Sequence, residues 1–172
     1  RQRQMCIRDS LDKVLAGRQV QNGQVYFDGK QAYLNVYQSL TLDDKEAVLV
    51  MPLNLQRMYH HEFTTDRNVS GYTMVKNADM RIVMHPSDEQ IGFSIVESRK
   101  KEFPEDFTDL ERLEQEQIDN EEGTSVYYSY WWNEETLQKV LKLAAYQWIT
   151  IGDSRLIVAS NADFLEQSGL FL

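Results

Sequence analysis

The stretch VYFDGKQAYLNVYQ, residues 25–38, decides the architecture. Val25, Tyr26 and Phe27 lead into Asp28-Gly29, and a second run rich in Tyr, Leu and Val follows from Gln31 to Gln38. Asp-Gly between two such runs is a strong hairpin signal, because the tight turns that match strand twist need positive φ, which Gly adopts freely. The spacing therefore predicts an antiparallel β-hairpin, and with it a β-rich first half of the chain.

Further strands are expected outward from this hairpin. Residues 47–51 form an apolar run, and Pro52, which has no N–H to donate, is expected to stop it. Residues 72–76 and 80–85 flank Asn77-Ala78-Asp79 and read as a second hairpin. Residues 91–97 read as one more strand, residues 125–132 as a strand dense in aromatics, and residues 155–160 as the last.

Two helices are expected among them. Residues 103–120 carry Thr108 followed by Glu111, the pattern of a capping box, with Leu110, Leu113 and Ile118 as a narrow apolar stripe on a surface helix ended by Gly123. Asn133 would cap a longer amphipathic helix over residues 133–151, with Leu137, Val140, Leu141, Ala144, Trp148 and Ile151 at helical spacing and Gly152 as its stop. Residues 162–172 read as a short helix or apolar tail. The fold class expected is α+β, a mostly antiparallel sheet with the long helix packed on it and a shorter acidic helix on its surface.

With 172 residues, one domain is expected over residues 11–172. The ten residues before it, RQRQMCIRDS, resemble translated sequencing-adaptor read-through and are expected to be a non-native leader. The chain's one Cys, Cys6, lies there, so no internal disulfide is available. Hydrophobic residues at 42% and charged residues at 26% are globular values, and no run approaches the ~20 apolar residues of a spanning helix.

The net charge of −9 is unevenly placed. Residues 102–122 hold ten acids and one base, Arg112, while the remainder is neutral. A one-sided negative field disfavours nucleic acid and suits a basic protein partner. The residues expected to bind such a partner are Glu111, Glu114, Glu116 and Asp119, with Tyr127 and Trp131 of the adjacent aromatic strand. In that strand Val126, Tyr128, Tyr130 and Trp132 alternate with Tyr127, Ser129 and Trp131, so a carbohydrate platform on one face is an alternative.

Chemistry-bearing clusters are sparse. His60 and Glu62, read on one face of a strand, are candidate metal ligands, with His85 as a third from elsewhere. Asp79 followed by Glu97, with Arg99 and Lys100 beyond, is similar to the carboxylate-and-lysine arrangement of metal-dependent nucleases, with Arg99 standing where the lysine belongs. Either pair would make a metal-dependent hydrolase. Phosphate-binding glycine loops, serine nucleophile elbows and HEXXH are absent, and no cofactor is expected. The leading expectation is a non-enzymatic binding or accessory protein.

Overall fold

A computed structural model describes residues 14, 21–63, 71–130 and 138–164. Over the described residues it is an α+β fold with two antiparallel sheets and three complete α-helices. The first sheet is a meander of β1 (Gln21–Asp28), β2 (Gln31–Leu42) and β3 (Lys45–Asn54). Helix α1 (Leu55–Glu62) leads to β4 (Tyr72–Asn77) and β5 (Ile82–Met84), followed by α2 (Ile95–Glu102) and α3 (Thr108–Asp119). The chain then closes the second sheet with β6 (Glu122–Tyr130), β7 (Lys139–Ile151) and β8 (Ser154–Asp163). Its strand order is β5-β4-β8-β7-β6, so the last strand returns to pair with the first and both helices cross one face.

The hairpin at residues 25–38 is present, with Asp28 paired to Gln31 and the turn made by Gly29 and Lys30, Gly29 at φ +60°. The next turn uses Asp43 and Asp44, both at positive φ, which Asp tolerates better than most residues. Pro52 does not stop β3. It sits inside the strand opposite Asn35, because β3 is an edge strand and the missing N–H costs no ladder bond on its outer side. The second hairpin is present too, with Val75 opposite Met84.

Five expectations are corrected. Residues 139–151 are not helical but form β7, paired with β6 on one side and β8 on the other, while residues 133–137 lie outside the described residues. The apolar positions fitted a helical period, yet the set Lys142, Ala144 and Tyr146 is the buried face of a strand. Val140, Tyr146, Trp148, Ile149 and Ile151 also suit a pleated surface better than a helix, and ladder bonds on both sides settle the competition. Gly152, read as a helix stop, instead takes φ +58° in the two-residue turn between Ile151 and Ser154.

Residues 91–97 are not a strand. Only Ser94 bridges to Arg81, and from Ile95 the chain is helical, with Ser94 Oγ accepting from the N–H of Glu97 at 3.3 Å as an N-cap. The capping box at Thr108 does not form either, since Phe107 precedes the first turn of α3 without a side-chain cap. The third buried position of α3 is Gln117, fully buried, rather than Ile118, which is 51% exposed.

The two faces of the second sheet bury different partners. One packs Val75, Ile82, Val83 and Leu156 against Ala32 and Leu34 of β2 and Leu55 of α1, which joins the two sheets. The other packs Val96 of α2 and Leu110 and Leu113 of α3 on Tyr127 and Ala144. Each such leucine contributes about 1.5–3 kcal/mol by leaving water.

Candidate functional site

The helix-covered face of the second sheet is not filled by apolar packing alone. A cavity of about 240 Å³ lies between the sheet and helices α2 and α3. Alternation along β4 sends Tyr72, Met74 and Lys76 into it, and β6 contributes Tyr127, Ser129 and Tyr130. From above come Ile95, Val96 and Arg99 of α2 and Leu110, Leu113 and Glu114 of α3, while His85, just past β5, closes one side.

The polar groups are arranged unevenly. The guanidinium of Arg99 lies 4.5 Å from the Tyr130 ring centre and 5.2 Å from that of Phe103, two rings stacked 5.5 Å apart. Such stacking orients a guanidinium while leaving its fork of N–H donors available. No carboxylate of the described residues lies within ion-pairing distance of it. The platform beneath is itself braced, because Tyr130 donates to Asp106 Oδ2 at 2.7 Å and Lys139 pairs with the other oxygen. These donors hold the Asp106 carboxyl below the usual carboxylate range, Lys139 first and Tyr130 second.

Elsewhere on the wall, Lys76 is 3% exposed and donates to Gln117 Oε1 at 2.5 Å. Burial pulls its ammonium down to about 8, against the attraction of Glu114. Burial likewise pushes the Glu114 carboxyl upward. Glu114 Oε2 and Gln117 Nε2 are buried and have no hydrogen-bond partner among the described residues. An acceptor and a donor left in this state are costly unless a further group meets them.

His85, 3% exposed, is brought down to about 4, mainly by burial and further by the Lys142 charge. The N–H of Ser87 donates to His85 Nδ1 at 3.0 Å, a bond open only to the unprotonated nitrogen. Lys142, 1% exposed, donates to the Tyr130 carbonyl at 2.5 Å and lies 5.6 Å from the Tyr72 ring centre.

The four acidic residues expected to bind a partner all lie on α3. Glu111 pairs with Lys100 at 2.5 Å, Glu116 with Arg112 at 2.7 Å, and Asp119 accepts from Gln115 at 3.0 Å, while Glu114 turns into the cavity. Tyr127 is 2% exposed and donates to Asn161 Oδ1 at 2.9 Å, so it presents no outer surface. Tyr128 is the exposed aromatic of the strand, at 49%, and Trp131 lies outside the described residues.

The metal candidates do not converge. His60 and Glu62 lie on helix α1, not on a strand, with His60 2.7 Å from Asp88 and Glu62 2.8 Å from its neighbour His61. Asp79 is in the β4–β5 turn, whereas Glu97 is in the first turn of α2. Among the described residues no three of His, Cys, Asp and Glu gather as a metal site.

Sequence reading missed Lys76, His85 and Arg99 as members of one site. One signal was available for Lys76, a charged residue in the inward phase of Tyr72 and Met74.

No protein-family model and no curated protein sequence matches the chain. Solved structures do match in fold. The ligand-binding domain of the Pseudomonas aeruginosa amino acid chemoreceptor PctB, in complex with L-arginine, aligns with a TM-score of 0.51 at 13% identity. That alignment takes in 94% of this chain and 61% of the other. The ligand-binding domain of the Pseudomonas fluorescens chemoreceptor CtaA, in complex with L-isoleucine, aligns at 0.54 with 15% identity, over 96% and 60%. The extracellular domain of a histidine kinase aligns at 0.51 with 12% identity, over 90% and 55%. Identities this low show shared fold alone, and the chain spans about 60% of the length of the two chemoreceptor domains. Among the described residues no helix is long and apolar enough to cross a membrane. The chain thus shares its α+β fold with these ligand-binding and extracellular domains.

Proposed function

We infer that the chain is a non-enzymatic sensory input domain that binds a small polar molecule in the cavity between the second sheet and helices α2 and α3. The observation that carries this reading is Arg99, stacked on Tyr130 and Phe103 at a cavity wall and ion-paired with no carboxylate among the described residues. A guanidinium pre-oriented in this way is suited to a ligand carboxylate or phosphate, because its planar fork loses little freedom on binding. The structural neighbours bind small molecules in domains of the same fold, which supports the same role here. The acidic segment serves as cavity wall: Glu102 and Glu114 line it, and Asp106 braces Tyr130.

Thermal denaturation in the presence of a panel of amino acids, organic acids, amines, sugars and nucleosides tests it. A true ligand at about a hundred times its Kd stabilises by about 2.7 kcal/mol, which raises the Tm of a chain this size by roughly 5–10 °C. Arg99→Gln should abolish the shift for an anionic ligand. A panel without any stabilising compound, or a shift indifferent to Arg99, would overturn the proposal.

A further inference from the structure

One unmatched polar atom on a lining residue narrows the chemistry of what the cavity accepts. Glu114 Oε2 is a buried acceptor without a donor among the described residues. Lys76, the cation that acts most strongly on Glu114, directs its hydrogen bond to Gln117 Oε1 instead. A carboxylate in this position calls for an incoming N–H or O–H.

Arg99 calls for the opposite, an anion, and it addresses a different stretch of the wall. Glu114 lies one turn before Gln117 on α3, the residue that Lys76 of β4 meets at 2.5 Å. Arg99 stacks instead on Tyr130 and Phe103, at 4.5 and 5.2 Å from the ring centres. The helices that carry these two side chains also line the cavity with the apolar Ile95, Val96, Leu110 and Leu113.

Taking the cavity as the ligand site, we propose that Glu114 sets its specificity and that the ligand is a dipolar chain, with an anionic group at Arg99 and a hydrogen-bond donor at Glu114, separated by an aliphatic stretch. A molecule with both groups on one carbon reaches only one of the two anchors. The apolar part of the wall suits methylene groups, each of which gains about 0.8 kcal/mol on leaving water.

Four compounds and two variants test this, with Kd read by calorimetry and Tm by thermal denaturation. The compounds are 5-aminopentanoate and glutaramate, with a charged and a neutral donor at the far end, pentanoate, which lacks the donor, and L-alanine, which carries both groups on one carbon. At least one of the first two should bind the native protein about tenfold or more tighter than pentanoate. Glu114→Gln, which keeps the shape of the side chain, should erase the advantage of 5-aminopentanoate over pentanoate. Lys76→Met, which removes the competing cation, should enlarge that advantage.

Equal binding of pentanoate, binding of L-alanine as tight as either long donor, or an advantage that survives Glu114→Gln would each overturn the assignment. So would silence from all four compounds. The broader reading of the cavity would outlast that silence if another compound gave an Arg99-dependent shift, so the two failures are distinguishable.

Discussion

Gln56 grips the backbone of His85 from both sides. Its Nε2 donates to the His85 carbonyl at 2.6 Å, and the His85 N–H donates to Gln56 Oε1 at 3.2 Å. A side chain of α1 thereby takes the place of a neighbouring strand for a residue at the cavity's edge. Gln56, at 6% exposure, also reaches Asp88 at 2.7 Å, so one amide ties α1 to the loop beyond β5.

Gln56→Leu is expected to destabilise the fold by about 2–4 kcal/mol, because it leaves two buried backbone groups of His85 unpaired. Urea denaturation checks this, and a midpoint unchanged from the native protein would show that the clasp carries no stability.

Tyr127→Phe removes one hydroxyl from a buried pair, since Tyr127 donates to Asn161 Oδ1 and Asn161 is fully buried. A loss of about 1–3 kcal/mol is expected. The measurement is a thermal melt of the variant beside the native chain, and a loss well under 1 kcal/mol would mean that water or a side-chain shift replaces the bond.

His85 makes stability depend on pH in a defined direction. Its folded value of about 4 lies below the 6.5 of the unfolded chain, so between these values the unfolded state binds more protons. Stability is therefore full above about pH 6.5 and falls as pH drops toward 4, by roughly 3 kcal/mol in the limit. Its neighbours, the buried Lys142 and the half-buried Tyr72, carry no negative charge in this pH range, and the Lys142 charge acts in the same direction as burial. His85→Asn should flatten the slope of unfolding free energy between pH 4.5 and 6.5. An identical slope in both proteins would assign the dependence to other groups.

The outer edge of β6 is guarded by α3. Arg112 donates to the Val126 carbonyl at 2.7 Å, and the Tyr128 N–H donates to Asp109 Oδ2 at 3.1 Å. These side chains occupy the backbone groups through which an edge strand would pair with another chain. The double variant Asp109→Ala, Arg112→Ala is expected to self-associate in analytical ultracentrifugation at concentrations where the native chain sediments unchanged in size.

Much of the strand content was legible in the sequence, and for local reasons. Gly29 and the runs around it form a hairpin from nearest-neighbour chemistry, and Tyr127, Ser129 and Tyr128 fall on the two faces that alternation assigns them. The failures came from tertiary competition. Ala144 and Trp148 fit a helical period as well as a strand, and only pairing with β6 and β8 distinguishes the two. The site was illegible for a related reason. Lys76, His85, Arg99 and Glu114 are brought together by two helices folding across strands distant in sequence, and no short motif records that convergence. The acidic run was visible as charge, but its ion pairs with Lys100, Arg112 and Lys139 were not.

Chemical-shift mapping of the amide spectrum with a compound that raises the Tm locates the bound molecule on the fold. Shifts concentrated at Lys76, His85, Arg99, Leu113 and Ser129 are the predicted result. Shifts confined to the outer face of α3, at Glu111 and Asp119, or to the three-stranded sheet would contradict a ligand site between the second sheet and its helices.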